Sequence, residues 1–288
     1  MKKAFFLLMI FVMSTVFFGS ILTNTDSPFE LKLSYENGFI KIFEHTLSFG
    51  SLEAGNTVFD YVEQGGQEIL FPFERLSAEI IINKRHNLTF LYQPLTIETK
   101  VPLKENIKIA NVEFNKEGEN DALYLKYGFP FWRFSYLYNF IHNEKLEFGL
   151  GVSLQLRNAS IIFEKNDGSS ITVGQNLGPV PILKIRGKYT LDNNLYFAAD
   201  CDGFYASSAW INGADFDFEG SVFDLSFRVG GNMTEYLESF LSIRYFGGSA
   251  VGVSQYETAR WSESAIEEAN ITSNIIKSMI ISLGFIIK

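Results

Sequence analysis

Residues 183–202 alternate polar and apolar side chains on both sides of the three-residue turn Asp192-Asn193-Asn194. A period of two sends successive residues to opposite faces of a strand, so this stretch reads as a β-hairpin. One face carries Lys184, Arg186, Lys188 and Thr190, then Tyr196, Ala198, Asp200 and Asp202. The other carries Leu183, Ile185, Tyr189 and Leu191, then Leu195, Phe197, Ala199 and Cys201. Counting outward from the turn sets Arg186 against Asp200 and Lys184 against Asp202. Opposed charges on neighbouring strands stabilise pairing by roughly 0.2–1 kcal/mol each. A sheet with charge on one face and hydrocarbon on the other is a wall between two solvents.

The same alternation runs along most of the chain. Phe29, Leu31, Leu33 and Tyr35 oppose Glu30, Lys32, Ser34 and Glu36. Asn37-Gly38 interrupts that run, either as a bend or bulge in one long strand or as the turn of a small extra hairpin. Strands follow at 73–83 and 88–99, joined by a turn at Arg85-His86-Asn87, with a bulge expected at Pro94. An aromatic strand spans 122–140 with a phase slip at Pro130, and His142-Asn143-Glu144 turns it into the alternating run 145–157. Strands at 222–230 and 236–247 are joined at Asn232-Met233-Thr234, which by the same counting sets Arg228 against Glu238. Residues 271–288 close the chain, and Ser264-Ala265-Ile266-Glu267 in the preceding loop has the pattern of a helix cap.

Short turns near 86, 143, 193 and 233 therefore alternate with longer connections near 60, 110, 167, 211 and 261. Of the 288 residues 47% are hydrophobic and 16% aromatic, yet beyond about the first twenty none of the apolar runs is long enough for a spanning helix. A membrane chain without spanning helices has to close its sheet, because open edges are not satisfied in lipid. The strands of about 10 to 18 residues also exceed the five or six usual in globular sheets. Met1-Lys2-Lys3 followed by apolar residues 4–18 has the form of a secretory signal. The division is then signal peptide 1–20, linker 21–28 and barrel 29–288. Cys201 is the one cysteine, which excludes an internal disulfide, and a net charge of −9 argues against nucleic acid as a partner.

The layout resembles bacterial outer-membrane β-barrel proteins as a class, over nearly the whole mature chain. The chain departs from the aromatic ending common there, since Phe285 is followed by Ile286, Ile287 and Lys288. The resemblance implies an all-β, closed, antiparallel, up-and-down transmembrane barrel of about ten strands, with eight to twelve compatible. Periplasmic turns are short and outside loops long. It implies a Gram-negative outer membrane as the location and membrane lipid as a partner, with an external ligand or protein possible at the loops. Cys201 and Phe197 are then expected to face lipid, and Arg186 the lumen.

The chemistry-bearing residues are few. Of three histidines, His86 and His142 fall in predicted turns. His45 lies near the outer end of a strand, but a regular strand puts Ser48 on the opposite face, and a nucleophile and its base must meet. Asp215, Asp217 and Glu219 lack the spacing of a known calcium loop and suit a solvated strand end. Asn87, Asn158, Asn232 and Asn270 begin sequons that matter only in a eukaryotic secretory path. Trp210 and Trp261 are loop contacts or interfacial anchors. No catalytic, metal or cofactor residue is assigned. The leading expectation is a structural or interaction protein with a polar, salt-bridged lumen. Behind it stand a narrow channel for small polar solutes, a lipid-modifying enzyme, and a soluble lipid-binding barrel with its apolar face inward.

Overall fold

The computed structural model describes residues 28–50, 52, 54–207, 218–253 and 271–288. The signal segment 1–20 and linker, the loop 208–217 with Trp210, Asp215 and Asp217, and the loop 254–270 with the 264–267 cap and Trp261 lie outside the described residues.

Fifteen strands are present among the described residues. They are β1 (Phe29–Phe49), β2 (Val58–Asp60), β3 (Leu70–Ile82), β4 (His86–Gln93), β5 (Thr96–Pro102), β6 (Ile107–Ile109), β7 (Val112–Phe114) and β8 (Ala122–Gly128). There follow β9 (Phe131–His142), β10 (Leu146–Lys165), β11 (Ile171–Thr190), β12 (Leu195–Ser207), β13 (Phe218–Asn232), β14 (Leu237–Val253) and β15 (Ile271–Ile287). The order β1-β3-β4-β9-β10-β11-β12-β13-β14-β15 returns to β1 and makes a closed barrel of ten antiparallel strands. Closure is made by β1 and β15, in register from Leu33 opposite Ile287 to Phe49 opposite Thr272. Both ends of the described barrel lie at the short-turn end, where Asn83 N donates to Pro28 O and Lys288 N to Tyr236 O.

Every barrel strand presents apolar side chains outward. Leu150, Leu183, Phe227, Ile243 and Ile281 are among the exposed ones, and Val152 and Ile281 are 56% and 60% exposed. Phe197 faces out, while Arg186 lies on the inner face beside Asp200. Aromatic pairs brace the outer surface: Phe90 meets Phe134 with ring centroids 4.9 Å apart, and Tyr92 stacks on Trp132 at 5.4 Å. The soluble barrel with its apolar face inward is excluded for this reason.

Four local expectations need correction. The turn after β3 is Asn83-Lys84-Arg85, because Asn83 and Lys84 take positive φ angles of 50° and 63° and the chain reverses there; His86 already belongs to β4. Asn37-Gly38 is neither turn nor bulge. Gly38 pairs in phase with Ser282 and Phe73, and the register shifts at Phe43 instead. Glycine is required at 38 by close approach, since a Cβ there would lie 2.0 Å from Ile281 O. The turn after β13 has four residues, Met233–Tyr236, so Arg228 opposes Ser242, and Glu238 opposes Asn232. Pro94 and Pro130 interrupt whole strands: β4 stops before Pro94-Leu95, and β8 and β9 are separated by Phe129-Pro130. A ring without an amide hydrogen cannot donate to the ladder at its own position.

Gly38→Val is expected to destabilise the barrel by about 1–3 kcal/mol, as overpacking does. Urea unfolding followed by heat-modifiable gel mobility measures it, and an unchanged midpoint would contradict the close contact.

Candidate functional site: the lumen

Inward-facing positions arrange the interior in layers. At the short-turn end Lys32, Glu79, Glu147, Lys188, Tyr196 and Glu238 line part of a cavity of about 110 Å³. That is room for several waters. Lys188 Nζ sits 4.3 Å from the Tyr196 ring centroid, and Lys288 closes on Glu238 at 2.9 Å.

Above it lies an ion-pair layer built on three aspartates. Asp224, almost wholly buried, accepts from Arg75 Nη1 at 3.3 Å, Arg133 Nη1 at 3.1 Å and Arg244 Nη1 at 2.9 Å. Asp202 joins Arg133 at 2.6 Å to Lys184 at 2.9 Å. Asp200 receives Arg186 Nε at 2.8 Å, Lys184 at 3.6 Å and Arg228 Nη2. Arg186 also reaches Glu79, and Arg244 Nη2 donates to Glu36 at 3.3 Å. Gln155 Oε1 takes the remaining edge of the Arg133 guanidinium at 3.0 and 2.7 Å. Six cations thus share five carboxylates, at fixed forks that suit arginine. The expected pairs Arg186–Asp200 and Lys184–Asp202 hold. Arg228 finds Asp200 rather than Glu238, because the longer turn moves Glu238 four residues along the strand.

The expectation of a polar lumen fails above this layer. Ile40, Phe71, Phe73, Leu91, Ile97, Phe131 and Ile280 form an apolar layer across the barrel. A second apolar cluster caps it at the long-loop end, from Leu47, Phe59, Tyr61, Ile107, Ile109, Phe114 and Phe163. Most of the cap comes from the long connections near 60 and 110, joined by Leu47 of β1 and Phe163 of β10. Thr57 N donates to Lys108 O at 2.7 Å and Ala110 N to Phe49 O at 2.8 Å, which pins the β6–β7 hairpin over the barrel mouth. The signal for it was present in Ile107-Lys108-Ile109-Ala110-Asn111-Val112-Glu113-Phe114, a short alternating hairpin whose turn residues Ala110 and Asn111 have positive φ.

His45 is wholly buried between these apolar layers. The shift at Phe43 turns it inward, its Nδ1 lies 2.7 Å from Gln67 Oε1, and its ring stacks on Tyr61 at 4.2 Å. Ser48 occupies the other face of β1, as expected. Among the described residues neither serine, cysteine nor carboxylate hydrogen-bonds the ring. His86 Nδ1 lies 2.9 Å from the Tyr136 hydroxyl on the outer surface. No group of metal-ligating side chains occurs among the described residues.

No protein-family profile matches the chain, and no curated protein does. Solved barrels of bacterial outer membranes align with it over most of its length. The outer membrane protease OmpT of Escherichia coli is 9% identical, with 91% of this chain and 97% of that one covered and a TM-score of 0.48. A FadL homologue of Pseudomonas aeruginosa is 9% identical over 90% and 89%, with a TM-score of 0.35. OprG of the same organism is 9% identical over 88% and 95%, with a TM-score of 0.30. Likeness of this degree bears on none of the chain's chemistry.

Asp224→Ala is expected to cost about 3–5 kcal/mol, because it leaves three buried guanidinium groups short of a counter-charge. Unfolding in lipid vesicles is the measurement. A change under ~1 kcal/mol would mean the arginines repack around Asp202 and Glu36.

Proposed function

We propose that the chain is an integral outer-membrane barrel with a closed lumen, acting through the structure it raises above the membrane. The observation that carries this is the inversion of its two faces. Apolar side chains cover the outside of all ten strands, while the interior holds paired charges below an apolar stopper. Lipid is the solvent that such an exterior fits. The stopper stands against the channel reading, since an ion would have to shed its water to cross it.

Long strands support an interaction role for the outer end. β10 and β11 each have 20 residues, whereas a tilted strand crosses the hydrocarbon core in about 9–11. The excess stands clear of lipid and is held in one shape by Lys165. Its ammonium lies 3.3 Å from Glu117, 3.6 Å from Asp121 and 3.4 Å from Asp167, joining the β10–β11 tip to the segment before β8. Backbone amides of Glu117 and Gly118 hold the Asp121 carboxyl below its ordinary value, and the Ser169 hydroxyl and amide do the same for Asp167. A depressed carboxylate contributes stability while ionised and loses it as pH falls through its folded value.

In planar bilayers the purified protein is expected to be electrically silent; stable single-channel steps would favour the channel. His45→Ala is expected to leave the cell's lipid profile unchanged, and a changed profile would revive the lipid-modifying reading. The 103–121 segment should resist added protease from neutral pH down to about pH 4 and yield only below it. Equal cleavage at pH 7 and pH 3 would contradict the Lys165 latch.

A further inference from the structure

The barrel ladder is incomplete at one place. β3 pairs with β4 only from Leu76 opposite Tyr92 to Ile82 opposite His86. Continuing that register six residues would set Leu70 opposite Glu98. Instead the chain leaves the ladder at Pro94-Leu95, and β5 pairs with β8 alone. Residues 70–75 of β3 therefore face β5 across a gap, and Pro72, with no amide hydrogen to leave unpaired, sits in that edge.

The segment 61–69 fills the gap. Tyr61 N donates to His45 O at 2.8 Å, Gln67 bonds the His45 ring, Thr99 Oγ1 donates to Gly65 O at 2.7 Å, and Lys41 Nζ donates to Glu68 O. The Tyr61 bond continues the β1–β2 pairing; beyond it the segment is held by these and further single bonds, within itself and to Glu105, rather than by a ladder, so residues 62–69 open more cheaply than a strand. Val62 packs inward on the apolar layer, while Ile69 and Leu70 are 57% and 59% exposed outward.

Behind the gap Phe71, Leu95 and Ile97 are buried, and Gln93, opposite Phe131 at the end of β4, is wholly buried with neither Nε2 nor Oε1 bonded among the described residues. A buried amide without partners is costly in an apolar layer. A packing role would favour leucine at that position, and a bound polar group would account for glutamine.

We propose that the β3–β5 gap is a side port gated by residues 61–69, through which the acyl chain of a membrane amphiphile enters the apolar layer, its ester or carboxyl oxygen accepting from Gln93. The port rests on the membrane reading above, and the test separates the two.

The protein is reconstituted in phosphatidylethanolamine–phosphatidylglycerol vesicles carrying a phosphatidylethanolamine with a photoactivatable acyl chain, and labelled residues are mapped. Gate closure is imposed by Gly66→Cys with Thr99→Cys, in a Cys201→Ser, Val101→Ala background. An ideal Cβ at 66 lies 4.0 Å from Thr99 Cβ, within disulfide reach, and 2.8 Å from Val101 Cγ1. Phe71, Leu95 and Ile97 are expected to label in the reduced protein, lose label on oxidation and regain it on reduction. Gln93→Leu should lower that labelling about five-fold, the weight of one hydrogen bond. Leu150 and Phe227 on the outer belt should label in every form. Absence of belt labelling overturns the membrane reading. Belt labelling without lumen labelling, or lumen labelling indifferent to the disulfide, overturns the port. If the cysteine variant fails to fold, the native protein and Gln93→Leu decide alone.

Discussion

Closure of the sheet on itself is the constraint from which the other features follow. A flat ten-stranded sheet has two edges of unpaired amides and carbonyls, and hydrocarbon offers them nothing to bond. Pairing β1 with β15 removes both edges in one ladder, from Leu33–Ile287 to Phe49–Thr272. Close approach at that ladder explains Gly38, where any Cβ would meet the Ile281 carbonyl. Closure also creates an interior, and an interior has to be filled.

The filling divides by height. Near the short turns the inward faces carry charge, and those charges are satisfied by one another across strands distant in sequence. Arg75 of β3, Arg133 of β9 and Arg244 of β14 all meet on Asp224 of β13. Such a hub adds little net stability over hydrocarbon packing, but removing one member leaves uncompensated charge. The arrangement therefore selects one strand order more than it strengthens the fold. Above it the inward residues become apolar and are sealed by chain brought in from the connections, with His45 stacked on Tyr61 and edge-on to Tyr127.

Strand number, the division of each run into two unlike faces and the hairpin pairs Arg186–Asp200 and Lys184–Asp202 were legible from period-two alternation and turn position. Both are local, and both errors of register came from turns misjudged by a residue or two. Asn83 and Lys84 take the left-handed conformation, which sets the turn two residues earlier than the Arg85-His86-Asn87 reading. Met233–Tyr236 spans four residues where three were counted, which moved Arg228 from Glu238 to Asp200. A period of two carries any such slip along the whole strand. Pro94 and Pro130 were recognised as irregularities; that they part β5 from β3 needed the neighbouring strands.

The sequence by itself determined long strands with one apolar and one charged face, because alternation along each strand is enforced by backbone geometry; that the apolar face lies outside was decided by the closed sheet, where Val152 and Ile281 stand exposed. Only the tertiary structure decided which charges meet, since Asp224 draws its partners from three strands that no local count relates. It also decided that the lumen is stoppered: Phe59, Tyr61, Ile109 and Phe114 are apolar residues in connections, and whether they cap a barrel or lie on its rim depends on where the chain folds back. The port between β3 and β5 belongs to the same kind, an absence of pairing visible only when the strands that fail to meet are placed side by side.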